Sequence, residues 1–381
     1  MSAADRLHAV ETPGLVLDEG RMLRNIERLR SRLQPLNVAL RPHLKTAKSI
    51  EVARRVLTGG DGPATVSTLK EAEVFAAAGI RDIVYAVGIA PQKLDRVLAI
   101  RARGCDLSVI LDSPGQAAAV AEASRRAGAR IPALIEVDCD GHRGGLRPDD
   151  PALPAVGRML HDGGAELRGV LTHAGESYGV SGAEAHAAFA ERERAAAVAA
   201  AGALRSAGLP CPVVSVGSTP TAHAARDLSG VTEMRAGVYV FFDLVMAGIG
   251  VCSTDDIALS VLTSVIGQNR ERGCLFIDAG WMALSRDRGT AGQAVDQGCG
   301  LVCDIEGTVL GDLVVSGANQ EHGVVSLRPG SRGALPDLPA GTRLRILPNH
   351  ACATAAQFGG YEVLPADPAA GLAHWPRFGG W

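Results

Sequence analysis

Between residues 20 and 240, short apolar runs and amphipathic helical stretches alternate eight times, and this alternation restricts the fold more than anything else in the chain. The runs are Val38–Leu40, Ala64–Val66, Ile83–Ala86, Leu107–Leu111, Ala133–Val137, Leu167–Leu171, Val213–Val216 and Met234–Val238. Short, mostly apolar runs alternating with helices are the pattern of a parallel sheet covered by helices. Eight such units in about 220 residues predict an α/β fold of the (β/α)8 barrel type, with an open doubly wound sheet as the alternative. Asp18 is positioned to cap a first helix whose Leu23, Ile26, Leu29 and Leu33 share one face. Ser49 is positioned to cap a helix over 49–57.

Past residue 250 the pattern changes. Ile257–Ile266, Cys274–Ile277, Gly300–Ile305, Val324–Leu327 and Arg343–Leu347 read as strands between Gly, Pro and Asp turns. The expected organisation is a barrel over 18–250 and a mostly β domain from 1–17 and 251–381. Gly14–Leu17 is expected to pair with the later strands, making that domain discontinuous. A net charge of −3 points to neither a nucleic-acid nor a membrane-surface partner. No apolar stretch is long enough to span a bilayer, and the first ten residues lack an apolar signal core. The eight cysteines are scattered, as in a protein with reduced, buried thiols. A soluble cytoplasmic protein is expected.

In a barrel the C-terminal strand ends open on one face, and chemistry gathers there. Lys45 follows the first strand. A lysine there can form a Schiff base with a carbonyl cofactor such as pyridoxal phosphate; the alternative is a solvated loop lysine. Gly217-Ser218-Thr219 follows the seventh strand, and Gly237 lies at the eighth. The loops after these two strands commonly hold phosphate in this fold, although Ser and Thr also cap helices. Arg143 lies in a Gly-rich turn, His173 ends the sixth strand, and Tyr178, Arg235 and Tyr239 stand near the same mouth. Far along the chain, His350 and Cys352 are two apart in Pro348-Asn349-His350-Ala351-Cys352. Both can bind a zinc-like ion, and two protein ligands leave positions for water or substrate.

Taken in order, Pro42-His43-x-Lys45-Thr46, Asp140-Gly141-His142-Arg143, Thr172-His173-Ala174-Gly175, Val216-Gly217-Ser218-Thr219-Pro220-Thr221, Arg235-Ala236-Gly237-Val238-Tyr239 and Pro348-Asn349-His350-Ala351-Cys352 form a set. Together they resemble the D-serine dehydratase / D-threonine aldolase family, pyridoxal-phosphate enzymes of fold type III with an alanine racemase-like barrel. The resemblance runs from Thr12-Pro13 to Tyr361. It implies that Lys45 holds the cofactor, that Arg143 faces its phenolic oxygen and that His173 lies against its ring. Gly217, Ser218, Thr219, the backbone near Gly237 and Tyr178 would hold the phosphate. Arg235 would meet the pyridine nitrogen, with Tyr239 as a competitor. His350 and Cys352 would bind a divalent metal, zinc first, with manganese or magnesium as alternatives.

His-x-Cys resembles the dehydratases of this group, whereas many D-threonine aldolases carry His-x-Asp. Ala47 departs from relatives that carry histidine after Lys-Thr. The implied reaction is β-elimination from a β-hydroxy-D-amino acid (D-serine, D-threonine or D-threo-3-hydroxyaspartate) to a 2-oxo acid and ammonia. An aldolase, a racemase and a non-catalytic pyridoxal-phosphate-binding protein are the alternatives. A homodimer is expected by the same resemblance.

Overall fold

The structure, a computed structural model, describes residues 3–381. Chain contacts divide it into two compact units, one of residues 28–237 with 380–381, the other of 1–27 with 238–379.

The chain's first strand, β1 (Gly14–Asp18), belongs to the second unit. The first unit is the barrel. Its strands are β2 (Ala39–Pro42), β3 (Ala64–Val66), β4 (Asp82–Gly88), β5 (Asp106–Leu111), β6 (Pro132–Val137), β7 (Glu166–Thr172), β8 (Val213–Val216) and β9 (Glu233–Ala236). They are parallel, in the order β2-β9-β8-β7-β6-β5-β4-β3, and the ring closes through a bridge between His43 and Thr65. This is the expected (β/α)8 barrel. Val84, Ile110, Leu134 and Leu171 form one buried cluster across four neighbouring strands. That burial is why these strands read as mostly apolar runs.

Three local expectations need correction. Helix 19–33 buries Met22, Ile26, Leu29 and Leu33, whereas Leu23 is 37% exposed, so the stripe starts one residue earlier. Ser49 occupies the cap position of helix Ile50–Val56, but its hydroxyl makes no capping bond and is buried without a partner. The last barrel strand stops at Ala236, and Val238–Val240 forms a 3-10 turn that places Tyr239 beyond the strand.

In the β-rich unit follow β10 (Leu259–Asn269), β11 (Cys274–Ile277), β12 (Leu301–Asp304), β13 (Val309–Ala318), β14 (Gly323–Leu327), β15 (Arg343–Leu347), β16 (Gly360–Leu364) and β17 (Ala373–Pro376). The order is β11-β14-β13-β12-β15-β10-β1-β16-β17, with a further β10–β11 pairing that turns the first six strands into a closed ring. Long β10 makes this possible: Val261–Ser264 pair with β15, and Val265–Asn269 pair with β11. β1 lies between β10, antiparallel, and β16, parallel. Among the described residues no helix is long and apolar enough to cross a membrane.

Candidate active site

The loop carrying Lys45 is pinned on both flanks. His43 N–H donates to Ala236 O at 2.7 Å, and Leu44 N–H donates to Thr65 O at 2.9 Å. Lys45 is exposed and has no carboxylate partner among the described residues. The neighbouring Lys48, at φ 45°, instead pairs with buried Glu71 at 3.3 Å. Of the two amines, only that of Lys45 stands unneutralised.

Around Lys45 lie two imidazoles and two guanidinium groups. Burial, then Lys45, Arg235, His173 and Arg143, hold His43 well below the ordinary imidazole range. Its Nδ1 accepts from Lys45 N–H at 3.4 Å, so Nε2 carries the proton and faces Ser67 Oγ at 3.4 Å. His173 Nδ1 lies 2.8 Å from Gly217 O. A carbonyl can only accept, so Nδ1 carries the hydrogen. Burial, with Arg143, Lys45 and Arg235 nearby, lowers His173 to about 3, and its ring is neutral at ordinary pH. The Tyr178 ring stands 6.2 Å from it. Arg235 is buried and donates to Ser215 Oγ and Thr172 O, both at 2.5 Å. Arg143 is exposed in its turn, with no carboxylate partner among the described residues.

The Gly217-Ser218-Thr219 segment has a clear division of labour. A Cβ on Gly217, at φ +142°, would lie 2.0 Å from Arg235 O, so only glycine lets β8 pass β9 this closely. Ser218 Oγ accepts from Thr221 N–H at 3.2 Å and meets Ser177 Oγ at 2.9 Å, while Ser177 donates to Ala174 O at 2.7 Å. The Ser218 hydroxyl is thus committed to the capping box of helix Thr219–Ala224. The Thr219 hydroxyl is buried without a partner. Its backbone N–H donates to Tyr178 Oη at 3.4 Å. A buried unpaired hydroxyl costs stability unless a ligand completes it. Gly237 packs closely on His43 and Thr46, and a Cβ added there would lie 3.2 Å from His43 O.

Lys45, Arg143, His173, Tyr178, Gly217, Ser218, Thr219, Arg235 and Gly237 therefore all belong to the barrel unit. Tyr239, fully buried, belongs to the β-rich unit, as do His350 and Cys352.

In that second unit, His350 Nδ1 donates to Asp287 Oδ2 at 2.6 Å, and the Cys352 thiol is hydrogen-bonded to the same imidazole. These contacts raise His350 to about 11. Asn349 braces the segment: its Nδ2 donates to Gly298 O at 2.7 Å and Asp287 O at 3.2 Å, and its Oδ1 accepts from Thr290 at 2.9 Å. Asp243 accepts from Ala351 N–H at 3.0 Å. Among the described residues no group of three or more His, Cys, Asp or Glu side chains is arranged to hold a metal. The motif offers an imidazole and a thiol in contact, with a carboxylate behind the imidazole to fix its orientation, as in many metal sites.

Sequence reasoning passed over His43, Glu193 and Asp287. His43 lay inside a quoted motif. Glu193 had a usable signal, because it falls on the same helical stripe as Ala190, Ala197, Ala200 and Leu204, all buried. Asp287 lies in a loop 63 residues before His350 and carried none.

Two family models match the chain: the alanine racemase N-terminal domain over 17–245 and a putative serine dehydratase domain over 258–364. D-threo-3-hydroxyaspartate dehydratase of Delftia sp. (strain HT23) is 56% identical over 380 residues, covering 99% of this chain and 100% of its own. D-serine dehydratase of Schizosaccharomyces pombe is 30% identical, covering 94% and 89%. D-threonine aldolase of an Arthrobacter species is 30% identical, covering 94% and 90%. The solved Delftia enzyme superposes with a TM-score of 0.95 over 99% of this chain and 100% of its own. A cysteine-to-alanine variant of the D-threo-3-hydroxyaspartate dehydratase, described as metal-free, gives 0.96 at the same coverage.

Proposed function

The chain belongs to the family of alanine racemase-type barrels that includes the D-serine and D-threo-3-hydroxyaspartate dehydratases, and from that premise we propose its reaction and cofactors. It eliminates the β-hydroxyl of a β-hydroxy-D-amino acid as water, the released enamine takes up water again and gives a 2-oxo acid and ammonia, and pyridoxal phosphate would be held by Lys45 and a divalent metal by His350 and Cys352. One observation carries the reading. An unneutralised lysine amine and a buried, unpartnered Thr219 hydroxyl stand at strand ends of one barrel mouth, among cations and neutral imidazoles. That set suits an anionic cofactor with a carbonyl at one end and a phosphate at the other.

In this reading Thr219 Oγ1 and the weakly bonded Thr219 N–H would hold the phosphate, while the Gly217 and Ser218 N–H groups, taken by Glu193 and Thr221, and the Ser218 hydroxyl keep the loop in shape. The neutral His173 ring would flank the cofactor and help keep water from it. Arg143 and Arg235 favour anionic oxygens at the mouth. The Nζ of Lys45 takes the proton from substrate Cα. When bound, pyridoxal phosphate supplies an electron sink for that carbon, and the metal a Lewis acid for departure of the β-hydroxyl. Asp287 holds Nδ1 of His350 so that Nε2 is the ligand atom, and Cys352 stands beside it. Of the three substrates, the 56% identity to a D-threo-3-hydroxyaspartate dehydratase favours D-threo-3-hydroxyaspartate.

The test is product analysis on D-serine, D-threonine and D-threo-3-hydroxyaspartate with added zinc or manganese. Ammonia with a 2-oxo acid is expected, and glycine with an aldehyde would overturn the dehydratase reading. Chelation should stop elimination from these hydroxy acids while β-chloro-D-alanine, whose leaving group needs no Lewis acid, still reacts. Equal loss on both, with cofactor retained, defeats the metal's assigned role.

A further inference from the structure

Glu193 is 1% exposed in the middle of helix Ala183–Ser206, on a buried stripe that is otherwise apolar from Ala190 to Leu204. No ion pair neutralises it among the described residues. Its oxygens accept from three separate segments instead. Oε1 takes Ala174 N–H and Gly217 N–H, both at 2.9 Å, and Oε2 takes the Thr221 hydroxyl at 2.7 Å. The Gly217 peptide is therefore held from both sides, its N–H by Glu193 and its C=O by His173 Nδ1. Ala174 directly follows His173, and Thr221 closes the capping box around Ser218 that leads into Thr219.

Burial pushes the Glu193 carboxyl up, while the three donors and the Arg235 cation pull it back. A carboxylate buried at this depth costs stability unless its lone pairs are used, and an alanine would suit the helix better. What the carboxylate adds is geometry: it ties the loop after β7 to the loop after β8.

We propose that Glu193 is a positioning residue which, by holding Ala174, Gly217 and Thr221 on one carboxylate, sets the His173 ring and the Thr219 hydroxyl in fixed relation and so determines how tightly pyridoxal phosphate is held. The proposal rests on reading the barrel mouth as the cofactor site.

Two conservative variants separate reach from charge. Glu193→Gln keeps an oxygen able to accept from both N–H groups and loses the charge; the Thr221 hydroxyl can turn to Ser218 O, 3.3 Å away. Glu193→Asp keeps the charge and is one methylene too short. The full chain is stripped of cofactor and titrated with pyridoxal phosphate. The phosphorus resonance of the bound phosphate and the melting temperature of the apo form are recorded alongside. Glu193→Asp should weaken the cofactor's Kd by at least about tenfold and shift the phosphorus line. Glu193→Gln should stay within about threefold of the parent, with an unmoved line.

The reverse order would mean that charge, not position, matters. Unchanged Kd and phosphorus lines in both variants, whatever happens to melting, would mean a purely structural carboxylate. Either result overturns the proposal. Should Glu193→Asp fail to fold, Thr221→Val is read in its place. It removes one of the three donors and should weaken Kd by about threefold; an unchanged Kd there overturns the proposal as well. A parent protein that binds no pyridoxal phosphate, or is labelled by borohydride away from Lys45, sinks the site reading and this inference together. A parent labelled at Lys45 with indifferent Glu193 variants sinks the inference alone.

Discussion

At the N-terminal end of the barrel strands, Arg168 donates to both oxygens of Asp106 at 2.8 and 2.9 Å, to Glu166 at 2.8 Å and to Ser108 at 2.9 Å. Arg41 spans Glu233 at 2.7 Å and Asp82 at 2.7 and 3.0 Å, and Glu233 accepts from Ser215 at 2.6 Å. At the C-terminal end, Lys45 and Arg143 have no carboxylate partner among the described residues, and Arg235 donates only to neutral oxygens. Both ends collect charged residues; the foot pairs its guanidinium groups with carboxylates, whereas at the mouth Lys48 pairs with Glu71 but Lys45, Arg143 and Arg235 have no ion-pair partner among the described residues. Paired charge at the foot secures the strands. Cations converging at the mouth repel one another, and Arg235 is desolvated there as well, an arrangement that an anion at the mouth would relieve.

Lysine replacements test this contrast with the largest effect. Lys45→Ala should cost about 10²–10⁴-fold in turnover and end borohydride labelling, because the proton-moving amine is gone. Lys48→Ala, whose amine serves Glu71, should keep the label and lower the melting temperature instead. A label that moves to Lys48 or Lys70 would break the contrast at its centre.

Acid sensitivity is the next effect in size. His43 and His173 both have folded-state pKa values below the ordinary imidazole value of about 6.5. The unfolded chain therefore takes up protons first as pH falls. The stability linked to each ring is complete above about pH 6.5 and is lost on acidification, by up to about 1.4 kcal/mol per pH unit, down to about 3 for His173. Urea unfolding of the apo protein between pH 6.5 and 5 should show this slope, and the His43→Asn, His173→Asn double variant should flatten it. An unchanged slope would mean that the rings are not held neutral.

Arg168→Gln carries the smallest effect. It should lower unfolding free energy by about 1–2 kcal/mol, since the network is half-exposed, and leave turnover per folded molecule unchanged. Asp106 is held below the ordinary carboxylate range: burial raises it, and Arg168 and Arg101 more than offset that. Its share of stability is present above about pH 4 and is lost below, so the variant and parent should converge in strong acid. A turnover loss in Arg168→Gln larger than the folded fraction explains would make the foot part of the site.

The barrel was legible because most of its strands are largely buried, so a mostly apolar run such as Leu107–Leu111, polar only at Ser108, survives in the sequence. β13 was not legible. Only Leu313–Val315 of Val309–Ala318 are buried, and its Gly311 and Asp312 read as a turn. β16 and β17 were hidden in the same way by Gly360, Glu362 and His374. Of the site, the lysine, the glycine-hydroxyl loop and the His-x-Cys pair are local motifs and can be read along the chain. The Ser218 hydroxyl looked as available as that of Thr219, because which one is spent on a cap depends on Ser177 and Thr221. Helical spacing puts Glu193 on the stripe of Ala190 and Ala197, but the charged run Glu191-Arg192-Glu193-Arg194 around it masks that signal by reading as a solvated face. Glu191 does pair with Arg194 at the surface, and only the helix's rotation against the barrel buries its neighbour.

The placing of β1 between β10 and β16 bears on how the chain is made. β1 is complete at residue 18, while its first partner starts at Leu259 and its second at Gly360. During synthesis at about 5–20 residues per second, β1 waits roughly 10–50 s for a neighbour. The barrel's segments emerge in that interval and have all their sheet partners among themselves. For that time a short apolar strand is an open edge, able to recruit the same strand from a nascent chain nearby. A polysome brings such chains close together, so the first contact between two copies of this protein can precede the folding of either.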